Sequence, residues 1–254
     1  MGQSVDRAIR ALQIIAEQPL TATEAAAKLE VHTSTAFRLL QTLASHNFVT
    51  LERQGRYRLG AGLFSLAFQA WEDLDVREVA SPYLHSLNDL TSETVHLAVL
   101  EQQHVVYIDK VESKHPIRMY SRVGAVAPLH CTGVAKAILA FLDVQQRREL
   151  LAHAPLHGHT QTTLTSIEAL EANFAIAREQ GYTLDDEEHE VGIHCIAAPV
   201  FSPRGAVAGA VSISAPMARL PRDELLKLIP ALLDATSQIS SELGAPAPSP
   251  QRPS

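Results

Sequence analysis

A disulfide framework is the first thing this sequence excludes. Only two cysteines, Cys131 and Cys195, occur in 254 residues, too few for a set of bridges and compatible with reduced thiols. No apolar run is long enough to span a bilayer. No N-terminal stretch joins a basic start to an apolar centre and a small-residue cleavage site, so a cytoplasmic protein without membrane contact is expected. Positive charge is scarce as well: the net charge of -7 rules out a chain that is cationic throughout and confines any nucleic-acid surface to a local patch. No internal repeat is found.

The charge that is present lies unevenly. Residues 1–60 hold seven Lys or Arg against five Asp or Glu, so the acidic excess belongs entirely to residues 61–254. With 46% hydrophobic residues over this length, two modest domains with their own cores are expected, the first of them facing an anion.

Helical spacing of Ala8, Ile9, Leu12 and Ile15 predicts a first helix over Asp6–Glu17 that ends before Gln18-Pro19. A second, "TATEAAAKL", is capped by Thr21 or Thr23. Only Glu30-Val31-His32 separates it from "VHTSTAFRLLQTL", so the pair reads as a helix-turn-helix. In the third helix Ala36, Leu39, Leu40 and Leu43 share one face, while Ser34, Arg38, Gln41 and Ser45 share the other, with Thr33 or Ser34 as the expected cap. Val49–Arg53 and Arg56–Leu59 around Gln54-Gly55 predict a β-hairpin. Alone such a hairpin is marginal in water, so it must lean on the helices as a wing.

That order predicts a major-groove reader. Ser34 and Thr35 at the helix N-terminus suit a phosphate, Arg38 suits a guanine edge or another phosphate, and Gln41 a base. Arg53, Arg56 and Arg58 on the wing supply salt-dependent affinity for the DNA backbone or minor groove. The following Gly60–Leu74 segment is apolar on nearly every side through Leu63, Phe64, Leu66, Phe68 and Trp71. It predicts a linker helix buried between subunits, which would set two recognition helices on a palindromic operator.

From residue 76 the pattern is α+β with an antiparallel sheet. A helix is expected over Arg77–Leu90, then an antiparallel pair from "ETVHLAVLE" and "HVVYIDKVE", helices over Val134–Phe141, Asp143–Ala152 and Thr165–Gln180, strands over Ile193–Phe201 and Val207–Ser214, and a last helix from Pro221 to Leu243. The Pro- and Ser-rich tail from Gly244 lacks apolar anchors and is expected to be disordered. Gly133 and Val134 begin a helix whose N–H groups can receive a carboxylate. Ser212 and Ser214 alternate with Ile213 and point to one side of a strand. Met119 is a candidate apolar wall.

The blocks "RAIRALQIIAE", "STAFRLLQTL", "GRYRLG", "PLHCTGVAKAILA", "GYTLDDEEHEVGIHCIAAPVF" and "GAVSISAP", in that order, resemble the IclR family of bacterial transcriptional regulators from Val5 to Leu243. The resemblance implies a winged helix-turn-helix domain (1–60), a linker helix (61–75), an effector-binding domain (76–243) with a GAF-like sheet, and homodimers or homotetramers on double-stranded operator DNA. It places Asp185, Cys195, Ser212 and Ser214 in an effector cavity beside Met119, Gly133 and Val134, which suits a small organic acid. Three positions depart from the family pattern. Glu30 stands in the turn where Gly is common, and Cys131 and Ala135 stand where smaller residues or glycine are more frequent.

The competing reading is a metal protein or a cysteine-dependent enzyme. Asp185, Asp186, His189, His194, Cys195, His130 and Cys131 include good zinc ligands, but His194 and Cys195 are neighbours in a strand and point to opposite faces. A nucleophilic Cys195 would need His189 or His130 as its base. The acidic run Asp185–Glu190 reads most simply as a solvated loop. No cofactor is implied.

Overall fold

The computed structural model describes residues 3–63, 65–66, 75–116 and 121–246. Met119, most of the expected linker helix (Phe64 and residues 67–74, Phe68 and Trp71 among them) and the tail from residue 247 lie outside the described residues. The chain divides into two compact units, Met1–Leu74 and Asp75–Ser254.

The first unit contains α1 (Gln3–Glu17), β1 (Leu20–Thr21), α2 (Ala22–Leu29), α3 (Thr33–Ser45), β2 (Val49–Leu51) and β3 (Arg56–Leu59). A capping box starts α2: Thr21 Oγ1 accepts the Glu24 N–H at 3.2 Å, and the Glu24 carboxylate accepts the Thr21 N–H at 2.7 Å, so two orphan donors are satisfied reciprocally. The helix stops at Glu30, which takes the left-handed conformation at φ 56. This is the geometry that makes glycine common in such turns. The cap of α3 differs from expectation. His32 provides it, its Nδ1 accepting the Ser34 N–H at 3.4 Å, while Thr33 and Ser34 belong to the first turn. Ala11, Ile15, Leu20, Ala25, Leu29, Leu40, Leu43, Val49 and Tyr57 form the core.

The hairpin is a three-stranded sheet of order β1-β3-β2. Leu20 pairs with Tyr57 and Thr21 with Arg56. A two-residue strand leaves no alternation for sequence reading to detect. The second strand ends at Leu51, two residues short of the predicted Arg53, because Glu52 to Gly55 form the tip.

The second unit runs α4 (Val76–Thr91), β4 (Thr94–Glu101), β5 (His104–Val111), β6 (Val126–Ala127), α5 (Gly133–Phe141), α6 (Val144–Ala152), α7 (Ile167–Gln180), β7 (Thr183–Asp186), β8 (Ile193–Phe201), β9 (Val207–Pro216), α8 (Arg222–Leu226) and α9 (Ile229–Glu242). Its sheet is antiparallel, of order β6-β5-β4-β9-β8-β7, and both faces are covered. Val95, Leu97, Ile196, Ala198, Val211 and Ile213 pack with residues of α4, α8 and α9 on one face. Ala98, Ala197 and Ala210 pack with α5 and α7 on the other. The strict alternation along β4, β8 and β9 therefore sends His96, Cys195, Ser212 and Ser214 to the α5 side.

Three expectations need correction. The single helix over Pro221–Leu243 is two helices broken at Lys227-Leu228, with Pro230 in the first turn of the second, where its missing N–H costs nothing. The run Asp185–Glu190 is not a solvated loop. Asp185 lies in β7, and both it and Glu188 are buried, because Lys136 and the Glu188 N–H supply partners inside. Strands β6 and β7 were not expected, both being too short to show a period.

Candidate functional site

Each unit presents one candidate surface. In the first, the apolar stripe of α3 fixes its rotation: Ala36, Leu40 and Leu43 are buried, which leaves Ser34, Thr35, Phe37, Arg38 and Gln41 exposed. Ser34, Phe37, Arg38 and Gln41 follow an i, i+3, i+4, i+7 spacing, a single helical face. Among the described residues no acceptor engages the Arg38 guanidinium. Phe37, 45% exposed, was missed by sequence reading because its neighbours suggested packing.

The wing arginines divide into two kinds. Arg53 is exposed at the tip, and Arg58 is exposed with a surface pair to Glu52 at 3.2 Å, worth little in water. Arg56 turns inward. Its guanidinium donates to Pro19 O at 2.8 Å and to Glu24 Oε1 at 3.2 Å, tying β3 to the start of α2.

In the second unit a cavity of about 110 Å³ lies between the sheet and the N-terminus of α5. Two cross-strand rows form its floor. Asp185 sits opposite Cys195, which sits opposite Ser214; Ala197 sits opposite Ser212, which sits opposite His96. Gly133 and Val134 form its roof, so the structure brings Gly133, Val134, Asp185, Cys195, Ser212 and Ser214 around one space. Thr132, the N-cap of α5, makes no side-chain cap; its hydroxyl donates to Pro128 O at 2.8 Å instead. The helix therefore opens on the cavity without a cap from its own N-cap residue, and the Cys195 sulfur accepts from the Gly133 N–H.

Sequence reading missed His96, Tyr107 and Ser121, which also line the cavity, and gave His189 only to the competing reading, whereas it lines the cavity too. The signal for His96 was a polar residue in phase with Thr94 and Ala98 within an otherwise apolar strand. His96 is held between Ser121 Oγ at 2.7 Å on Nε2 and Ser212 Oγ at 3.3 Å on Nδ1, and its ring lies against that of Tyr107, tilted by 45° with centroids 5.0 Å apart. Complete burial, helped by nearby Lys110, pushes its pKa down to about 3. It is a neutral hydrogen-bonding group at physiological pH. Burial, reinforced by Glu188, raises Asp185 to about 7.

Under the roof, Lys136 is fully buried. Its Nζ meets Glu188 Oε1 at 2.5 Å and Oε2 at 2.6 Å, and Leu184 O at 2.7 Å. Burial pushes the Glu188 carboxyl up, and Lys136 draws it back. This pair locks α5 to the turn after β7 and so holds the cavity's edge in place.

The chemistry of the two thiols argues against nucleophilic catalysis. Burial pushes Cys131 up to about 12 and raises Cys195 still further from the ordinary thiol range, the opposite of what an activated thiolate needs.

Residues 4–53 match the IclR helix-turn-helix domain, and residues 68–241 match the C-terminal domain of bacterial IclR transcriptional regulators. The chain belongs to the IclR family. As an IclR protein it is a transcriptional regulator and not an enzyme, with a DNA-binding domain before an effector-binding one. It is 36% identical over 229 residues to the HTH-type transcriptional regulator KdgR of Escherichia coli K12, covering 90% of this chain and 87% of KdgR. The HTH-type regulator XynR of the same strain is also 36% identical, with 96% and 98% covered. The HTH-type repressor AllR of Salmonella typhimurium is 34% identical, with 97% and 92% covered. Among solved structures, an IclR regulator from Silicibacter sp. TM1040 superposes with a TM-score of 0.86 at 26% identity over the whole of both chains. The C-terminal domain of E. coli KdgR superposes with a TM-score of 0.61 at 35% identity, covering 67% of this chain and 99% of that one. No helix among the described residues is long and apolar enough to cross a membrane.

Proposed function

We propose that this IclR regulator works in the cytoplasm as a dimer or dimer of dimers on a palindromic operator, and that a small organic acid in the cavity under α5 changes its operator occupancy. Ser34, Thr35, Arg38 and Gln41, with Phe37 beside them, enter the major groove. The Ser34 and Thr35 hydroxyls meet a phosphate, Arg38 reads a guanine edge, and Phe37 rests on a thymine methyl. Arg53 and Arg58 lie along the DNA backbone, and Arg56 holds the wing at the angle this requires.

The observation that carries the reading is the exposed Arg38, unpaired among the described residues, on the face of α3 that its own core leaves free. In the cavity, Ser212, Ser214 and the first amides of α5 suit a carboxylate, while Val134 covers its carbon body. The acid acts by preferring one arrangement of the regulator over another, since only differential affinity shifts an equilibrium. The test is a mobility-shift titration of the full chain on the DNA upstream of its own gene, across a salt series and with a panel of small carboxylic acids. A shift that weakens with salt, is lost in Arg38→Ala and responds to one class of acid is expected. Binding that ignores both salt and Arg38 overturns the reading.

A further inference from the structure

Beside the cavity, the fold gathers four nitrogen and sulfur donors from three separate stretches. His130 and Cys131 precede α5 and are both buried. His159 comes from the loop after α6 and is exposed, and His189, from the turn after β7, is exposed as well. One ligand atom from each of His130, Cys131 and His159 lies within 4.8 Å of the others. The Nδ1 of His189 stands 3.5 Å from Cys131 Sγ, and the His159 and His189 rings are 5.2 Å apart at their centroids.

We infer that His130, Cys131, His159 and His189 form a site for a zinc-class divalent transition ion, a single thiolate with three imidazoles. A tetrahedral zinc with bonds of about 2.3 Å to sulfur and about 2.0 Å to nitrogen holds S and N donors about 3.5 Å apart, the separation that Cys131 and His189 already show. His189 lies outside the trio of His130, Cys131 and His159 whose ligand atoms fall within 4.8 Å of one another, and the exposed His159 and His189 rings rotate to complete the shell.

The neighbouring hydrogen bonds are those of a metal site. The His130 Nε2 donates to His157 O at 2.8 Å, which fixes that proton on Nε2 and leaves the Nδ1 lone pair for a ligand. Backbone-oriented imidazoles of this kind are the usual outer support of metal-bound histidine. The loop carrying His159 is fastened to the turn carrying His189: the Thr162 hydroxyl donates to Glu187 O at 2.9 Å, and the Thr163 hydroxyl to Glu188 O at 2.6 Å. Thr163 Oγ1 also accepts the His159 N–H at 3.0 Å. Two buried anchors and two solvent-facing ligands give the ion a way in. On binding, Cys131 releases its thiol proton to solvent as the sulfur–metal bond forms. Soft sulfur with imidazole selects Zn(II), Co(II) or Ni(II) over magnesium or calcium.

The inference is independent of the DNA and acid readings, because its test uses neither. The full chain is stripped with chelator and titrated anaerobically with Co(II), followed by Zn(II). One Co(II) per chain is expected, with visible bands of a tetrahedral ion and a near-ultraviolet thiolate-to-cobalt band, both removed by one equivalent of Zn(II). Cys131→Ser abolishes the thiolate band while Cys195→Ser keeps it, and His159→Ala and His189→Ala each weaken Co(II) binding by about tenfold or more. Circular dichroism confirms that each variant is folded. Lack of a thiolate band in the parent chain, its survival in Cys131→Ser, or unchanged affinity in both histidine variants overturns the assignment.

Discussion

A Cβ placed on Gly133 would lie 2.5 Å from the Sγ of Cys195. The first turn of α5 can approach the sheet this closely only because one residue lacks a side chain and its neighbour across the gap is small. Gly133→Ala is therefore expected to lower stability by about 1–3 kcal/mol through overpacking. Much of that loss should return in Gly133→Ala/Cys195→Ala, because the two residues share one contact. Thermal melts of the two single variants and the double variant check this; strictly additive losses would disprove the coupling.

Lys136→Met strands the Glu188 carboxyl in the interior. Breaking one half of a buried pair costs about 3–5 kcal/mol, so the variant should lose much of the stability of the second unit. Adding Glu188→Leu should restore part of it by removing the stranded charge. Denaturant titrations of the single and double variants provide the comparison, and a single variant as stable as the parent would show that Lys136 carries no such burden.

Arginines on one hairpin should behave differently. Arg58→Ala is expected to weaken DNA binding about equally across sequences and to reduce the salt slope by about one, with an unchanged melting temperature. Arg56→Ala should lower the melting temperature of the first unit, because it releases Pro19 O and Glu24. Arg38→Ala should cost about 1–3 kcal/mol of binding and relax preference at one base position. Fluorescence anisotropy on operator and scrambled duplexes separates these outcomes.

Acid should reveal the pairing of Arg147 with Glu171. The Arg147 guanidinium meets the carboxylate at 2.9 and 3.0 Å, and this hydrogen bonding holds the Glu171 pKa below its ordinary 4.5. A depressed carboxylate pKa stabilises the fold fully above the ordinary value, and the gain fades as pH falls through the lowered one. Glu171→Gln should therefore be less stable than the parent at neutral pH and converge with it in acid. A stability difference that does not change with pH would contradict the assignment.

The local period carried most of the fold. Helix α3 was legible because Ala36, Leu40 and Leu43 recur at helical spacing, and β9 because Ser212 and Ser214 alternate with Ile213. Where the period had no room to show, the structure was hidden: β1 is two residues long, β7 is four, and the break at Lys227-Leu228 interrupts a continuous apolar pattern. The acidic run misled for a different reason. Composition makes Asp185–Glu190 look solvated, and only the long-range arrival of Lys136 turns Glu188 inward.

By itself the sequence determined the order of the longer elements, the family to which they belong and the outward face of α3, because each of these depends on residues a few places apart. The tertiary structure alone decided that Arg56 pairs with Pro19 O and Glu24, that His96 and Tyr107 join Ser212, and that His159 meets His130, Cys131 and His189. These groupings depend on strand register and on loops that close over tens of residues. Such contacts are set by the packing of whole faces, and a linear pattern carries no record of them.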